Sequence, residues 1–319
     1  MSMLLEVFLL VVGFVLLIKG ADVFVGASVD IAKRLKIPSV IIGLTVVALG
    51  TSLPEAVISI SAAVGGSNDL AIGNVIGSNI FNLMFIVGFC ALIKPLYVKV
   101  KEIARDYWVS VGATVLLLLL MIIFTDTIPR IGSFILFSGF VIYMVVLIRK
   151  ALKNKIEEET EDDTEQSNTK TKSLVRIILF AVLGLTLIII GGQVTVYSAV
   201  NIALTLGITE RIVGLTILAV GTSLPEFVTT LIACRKKEND IAIGNIIGSN
   251  IFNIMFVLGL SGLIMPLSID SNLIFDITGL TLGSLVFLLF AHSGKRIVRF
   301  EGLSMVIMYA AYISLIIIF

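Results

Sequence analysis

Residues 42–55, IGLTVVALGTSLPE, return at 213–226 as VGLTILAVGTSLPE. A second stretch, AIGNVIGSNIFNLMF (71–85), returns at 242–256 as AIGNIIGSNIFNIMF. Both pairs are separated by 171 residues, and from Gly43 to Leu96 the two copies align without a gap, with 32 of 54 positions identical. The matches include Thr, Ser, Pro, Glu and Asn, so they are not the accidental likeness of two greasy helices. The chain is built from two copies of one unit.

Composition says where the unit lives. The 319 residues are 58% hydrophobic and 14% charged, with a mean hydropathy of +1.11. Soluble domains carry nearer a quarter charged residues. A net charge of +1 provides no basic field for phosphates, so no nucleic-acid partner is expected. Cys90 and Cys234 lie in apolar runs and read as packing residues, not a disulfide framework or a thiolate metal site. His292 reads as a membrane-interface residue, and no HExxH or GxSxG supports an enzyme. The chain reads as an all-α polytopic membrane protein. No cleavable leader is expected, because the first apolar run lacks a basic start.

A bilayer core needs about 20 apolar residues per helix. Ten stretches qualify: 4–31, 39–63, 70–93, 107–125, 131–149, 174–204, 210–234, 241–265, 272–291 and 298–318. Five spans form a first repeat (1–149) and five a second (173–319), joined by an acidic linker (150–172) that reads as solvated and disordered. Five is odd, so the repeats are expected to be inverted. With both termini outside, twenty of the 23 Lys and Arg fall in inner loops, as the positive-inside rule asks. Equivalent loops differ accordingly: Lys36 aligns with Gly207, and Gly66 with Lys237. Inverted repeats are typical of secondary transporters, whose sites lie at the repeat interface near the midplane.

Asp22, Glu55 and Glu226 are the carboxylates read as well inside the spans. Charge at that depth is costly and marks an ion path or a buried pair. Glu55 and Glu226 are repeat mates that inversion would bring face to face, needing a cation or proton between them. Each follows a proline. Pro54 has no N–H for the carbonyl of Gly50, and Pro225 none for that of Gly221. Two broken helices are expected, with carbonyls of 48–51 and 219–222 free to turn inward. Asn74, Ser78 and Asn82 stand four apart on one helical face, as do Asn245, Ser249 and Asn253. For Asn74 and Asn245, interhelical hydrogen bonding competes with a ligand role. Gly73, Gly77, Gly244 and Gly248 allow close helix approach. Asp22 is expected to pair with Lys19, three residues away. The donor set is all oxygen, which suits Ca²⁺ or several Na⁺ and not Zn²⁺ or Cu²⁺.

These residues resemble the alpha repeats of the cation/calcium antiporter superfamily, specifically its prokaryotic sodium/calcium exchangers. The carrying motifs are GTSLPE with GNVIGSNIFN, then GTSLPE with GNIIGSNIFN. The resemblance implies two long sliding helices, the first and sixth spans, against a core of eight. It implies that Glu55 and Glu226 ligate Ca²⁺ with the carbonyls of Thr51 and Thr222. It implies Na⁺ sites built from Ala48, Ser52, Glu55, Ser78, Ala219, Thr222, Ser223, Glu226 and Ser249, with Asn82 and Asn253 flanking the centre. Some relatives, including potassium-dependent exchangers, carry aspartate at the position of Asn253. Asparagine in both repeats implies independence of K⁺ and a central charge of −2. The expectation is electrogenic Na⁺/Ca²⁺ antiport in the cell membrane, with no cofactor and no obligate protein partner. A Ca²⁺/H⁺ antiporter is the alternative, followed by a passive cation channel.

Overall fold

In a computed structural model, the described residues are 3–66, 68–161, 173–208, 219–269, 271–294 and 296–318. The chain is almost wholly helical. Helix α1 (Met3–Leu35) is followed by α2 (Ser39–Thr51) and α3 (Leu53–Val64), which meet at a 50° bend. Then come α4 (Leu70–Ile93), α5 (Val100–Ile123) and α6 (Arg130–Glu161). The second half contains α7 (Leu174–Thr205), a helical turn (Ala219–Gly221), α8 (Leu224–Arg235), α9 (Asn239–Ile264), α10 (Ser271–Gly294) and α11 (Arg299–Ile318). Among the described residues, eight helices are long and apolar enough to cross a membrane, and the α2–α3 pair passes the same test as one broken span. The start of the expected span 210–234, with Arg211, lies outside the described residues. The expected linker begins as helix, since α6 continues to Glu161; residues 162–172 lie outside the described set.

The two copies share backbone detail. Four residues with positive φ form two pairs of repeat mates: Lys36 (52°) with Gly207 (84°), and Gly66 (80°) with Lys237 (67°). Each sits just past a helix end. At Lys36, Gly207 and Lys237 the next N–H reaches five residues back, as in Ile37 to Ala32 (3.1 Å) and Glu238 to Ala233 (2.9 Å). This is the Schellman closure of a helix. Glycine takes the left-handed conformation freely, whereas lysine is strained there.

Two of the longest helices, α1 and α7, pack along a seam of small residues. A methyl group on Gly191 would come within 2.6 Å of the Leu17 nitrogen, and one on Gly20 within 2.8 Å of the Gly184 carbonyl oxygen. Gly13 and Gly184 are repeat mates, as are Gly20 and Gly191, so each copy donates the same two glycines to this close approach. The other helices surround α9, which is buried nearly throughout. A methyl on Gly244 would lie 2.6 Å from the Val40 carbonyl, and one on Gly248 2.7 Å from the Leu44 carbonyl. The sequence expectation of close approach holds at these two glycines, where α2 lies directly on α9; at Gly73 and Gly77 no described residue comes as near.

Two short ladders tie the halves together. β1 (Leu96–Tyr97) pairs antiparallel with β4 (Arg296–Ile297), and β2 (Thr127–Ile128) with β3 (Leu267–Ser268). Leu96 and Leu267 are repeat mates, so each ladder joins one copy's connection after its third expected span to the other copy's connection after its fourth.

Candidate functional site

Both GTSLPE motifs break their helices in the same way. The break falls at Ser52 (φ −85°, ψ 7°) and at Ser223 (φ −90°, ψ 7°), and each proline sits in the first turn of the helix that follows. That is where a missing N–H costs nothing, because the first N–H groups of a helix have no intrahelical acceptor. Glu55 and Glu226 therefore occupy the first turns of α3 and α8. The positive end of each helix dipole favours the carboxylate there.

The two glutamates are 0% and 1% exposed. Each is held by the other copy's serine. Ser52 Oγ donates to Glu226 Oε1 at 2.7 Å, and Ser223 Oγ donates to Glu55 Oε1 at 3.0 Å. Among the described residues, no Lys, Arg or His forms an ion pair with either carboxylate, and no group of three or more His, Cys, Asp or Glu could hold a metal. A cation between the glutamates would meet two carboxylates and otherwise neutral oxygens.

Those neutral oxygens are present. Buried side-chain atoms with no hydrogen-bond partner include Glu55 Oε2 and Glu226 Oε2, Ser78 Oγ and Ser249 Oγ, Asn82 Oδ1 and Asn253 Oδ1. They are three pairs of repeat mates. Buried polar atoms normally find partners, and orphaned ones carry a desolvation penalty of about 1–3 kcal/mol each. These six orphans fall at mirrored positions on α3, α4, α8 and α9. Asn82 and Asn253 each sit at the second residue of a π-helical segment, Phe81–Ile86 in α4 and Phe252–Leu258 in α9. Such wider turns are frequent at functional sites.

Asn74 and Asn245 are brackets between helices. Asn74 donates to Ser59 Oγ (2.9 Å) and accepts from Thr222 Oγ1 (3.5 Å); Asn245 donates to Thr230 Oγ1 (3.0 Å) and accepts from Thr51 Oγ1 (3.1 Å). Each amide group thereby joins segments of the two opposite copies. The Ala48 carbonyl accepts the Ser52 N–H at 3.1 Å, and Ala219 opens the helical turn before the second break.

Sequence reasoning missed the residues that join α4 to α9. Asn79 Nδ2 donates to the Asn250 carbonyl (3.1 Å), Asn82 Nδ2 to Asn250 Oδ1 (3.1 Å) and Asn253 Nδ2 to Asn79 Oδ1 (3.1 Å). The signal was available, because Asn79 and Asn250 are repeat mates inside the quoted motif. Also missed was Thr229, one turn beyond Glu226 on α8, whose buried hydroxyl has no partner. Glu6, near the start of the first expected span, was missed as well. It is 5% exposed and accepts from Asn201 Nδ2 of α7 at 3.2 Å.

One expected pair does not form. Lys19 and Asp22 both have exposed side chains, and Asp22 instead meets Lys236, with 3.0 Å between Nζ and Oδ1. Helix α1 continues to Leu35, so Asp22 lies level with the end of α8 and not in the site. Cys90 and Cys234 are free and buried, and His292 is exposed near the end of α10.

Known proteins repeat this arrangement. The solved sodium–calcium exchanger NCX_Mj superposes with a TM-score of 0.85 at 30% identity, covering 99% of this chain and 100% of its own. The sodium/calcium exchanger MaX1 of Methanosarcina acetivorans is 34% identical over 96% of each chain. The putative antiporter CaxA of Alkalimonas amylolytica is 36% identical over 97% of this chain and 98% of its own. The family model described as sodium/calcium exchanger protein matches residues 5–149 and 176–318, so both copies are covered. The chain belongs to the sodium/calcium exchanger family.

Proposed function

We propose that this protein exchanges Na⁺ for Ca²⁺ across a membrane by alternating access. The observation that carries this is the pair of buried glutamates, each bonded to the other copy's serine, with further buried oxygens left unpartnered at the mirrored positions 78/249 and 82/253. Ca²⁺ takes six to eight oxygen ligands in flexible geometry. Glu55 and Glu226 supply carboxylates for it, with carbonyls from Thr51 and Thr222 completing the shell. Na⁺ uses the same centre together with Ser52, Ser78, Ser223, Ser249 and the carbonyls of Ala48 and Ala219. Asn82 and Asn253 flank it. Because one oxygen set serves both ions, the loads exclude one another, which couples their movements without a separate device.

The ionised glutamates carry −2. One Ca²⁺ balances that charge, and more than two Na⁺ overbalance it. Exchange is therefore electrogenic, with Na⁺ entry driving Ca²⁺ out, and it needs no K⁺ because neutral asparagine stands at both 82 and 253.

The architecture is ten spans in two inverted five-span repeats, with both termini outside a cell membrane. Three observations support the inversion. The two ladders exchange roles between the copies. The serine–glutamate bonds are reciprocal. The left-handed helix ends carry lysine where the loop is assigned inside (Lys36, Lys237) and glycine at the mates assigned outside (Gly207, Gly66). Lysine in a strained conformation that glycine takes freely fits selection for charge on that face.

The test is ⁴⁵Ca uptake into proteoliposomes with outward gradients of Na⁺, K⁺ or protons. Uptake with the Na⁺ gradient alone, increased by an inside-positive potential and indifferent to K⁺, is expected. Uptake driven only by protons would overturn the Na⁺ coupling, and Ca²⁺ flux without any counter-ion would make the protein a channel.

A further inference from the structure

Helix α8 carries Glu226 in its first turn and ends at Arg235, and the next residue, Lys236, crosses to α1. Its ammonium lies 2.6 Å from the main-chain carbonyl oxygen of Asp22 and 3.0 Å from that residue's Oδ1. One turn further along α1 is Gly26, where an added methyl would already be 3.6 Å from Lys236 Nζ. Any longer side chain at 26 would stand where the lysine passes. Three residues thus build one contact between α1 and the far end of the helix that bears a site glutamate.

The internal repeat supplies a control for this contact. The mates of Asp22, Gly26 and Lys236 are Gln193, Tyr197 and Gly65. Neither charge is kept, and the opening at Gly26 is replaced by a large aromatic ring. The equivalent contact, from the end of α3 to α7, has no chemistry with which to form. Within the candidate site the copies match bond for bond: the serine–glutamate pairs, the asparagine brackets and the asparagine clasp are all doubled. A contact present in one half only is not part of the shared machinery.

In an inverted-repeat transporter, one access state turns into the other when the two copies exchange conformations. Contacts made in both copies leave the two states equally stable. A contact available to one copy favours the state in which it is made. We propose that Asp22 and Lys236 are positioning residues that hold α8, and with it Glu226, against α1 in this access state, and so set the difference in apparent ion affinity between the two membrane faces. This rests on the alternating-access reading above. The pair is partly exposed, with side-chain exposures of 57% and 33%. Exposed ion pairs have modest strength, so the bias is roughly two- to five-fold. Apparent affinity on each face scales with the population of the state open to it.

The experiment measures the KM for Ca²⁺ and the maximal rate in right-side-out and everted vesicles of the same cells. Wild type is compared with Asp22→Asn, with Lys236→Gly (the residue of the other half) and with the swap Asp22→Lys plus Lys236→Asp. Both single variants are expected to raise KM on one face and lower it on the other, each by roughly two- to five-fold, with the swap moving both values back towards wild type. KM changes in the same direction on both faces, a change in maximal rate alone, or a swap no better than the single variants would overturn the proposal. Size-exclusion profiles of the detergent-extracted variants separate misfolding from a shifted equilibrium. Wild-type vesicles without Na⁺-driven Ca²⁺ uptake would sink the antiport reading itself, a result distinct from the failure of the latch.

Discussion

Ser52 in one half donates its hydroxyl to Glu226 in the other at 2.7 Å, and the reverse bond, Ser223 to Glu55, spans 3.0 Å. Each helix break therefore does two things. It places a glutamate in the first turn of a new helix, and it turns the preceding serine towards the opposite glutamate. The breaks are coupled through the site they build.

Replacing either serine by alanine removes one hydrogen bond to a carboxylate and one oxygen proposed for Na⁺. A hydrogen bond to a charged group contributes about 1.5–3 kcal/mol, so apparent Ca²⁺ affinity is expected to fall by about tenfold or more. Initial rates of ⁴⁵Ca uptake against Ca²⁺ concentration measure this. Because the bonds are mirrored, Ser52→Ala and Ser223→Ala should resemble each other; an effect confined to one would contradict the shared site.

Glu55→Gln and Glu226→Gln keep shape and remove charge. Each is expected to abolish exchange while leaving a monodisperse protein in detergent. Neutralising a carboxyl that has no cationic partner among the described residues removes a desolvation cost, so thermal stability without ions should hold or rise. Retained transport by either variant would refute the assignment.

Lys237 adopts φ 67°, which a side chain strains and glycine does not. Lys237→Gly is expected to stabilise the protein by about 1 kcal/mol, and Gly207→Ala to destabilise it by a similar amount. Thermal unfolding in detergent compares them. A preference for glycine at both of these left-handed helix ends would show that the lysine is kept for its charge.

Lys99 lies before α5 and Asp240 in the first turn of α9, outside the spans, with 2.7 Å between Nζ and Oδ2. The hydrogen bond that Lys99 donates to Asp240 holds its ammonium above the ordinary lysine value of 10.5. A raised folded-state value means the stabilisation is fully present below that ordinary value and fades as pH climbs through the folded one. Stability from this pair should be flat at neutral pH and decline only at strongly alkaline pH, with Asp240→Asn removing that component of the decline. A loss near pH 7 would point to another group.

The repeat offset of 171 residues was enough, with no coordinates, to pair Glu55 with Glu226, Ser78 with Ser249 and Asn82 with Asn253, and the prolines located both helix breaks. Those inferences held because they depend on local chemistry: a missing N–H, a four-residue helical period and a charge in an apolar run. The partners of Asp22, Glu6 and Asn79 were beyond reach. Lys19 stood at a permitted spacing from Asp22, yet Lys236, 214 residues away, arrives over Gly26 and takes the contact. Glu6 is buried where α7 covers it, and its partner there is Asn201. Asn79 was legible as a repeated residue, but not as half of a clasp with Asn250. Sequence alone determined which residues are equivalent and which are costly to bury. Only the tertiary structure decided which of them meet, because that depends on how closely glycine-lined helices approach, a distance that no spacing along the chain encodes.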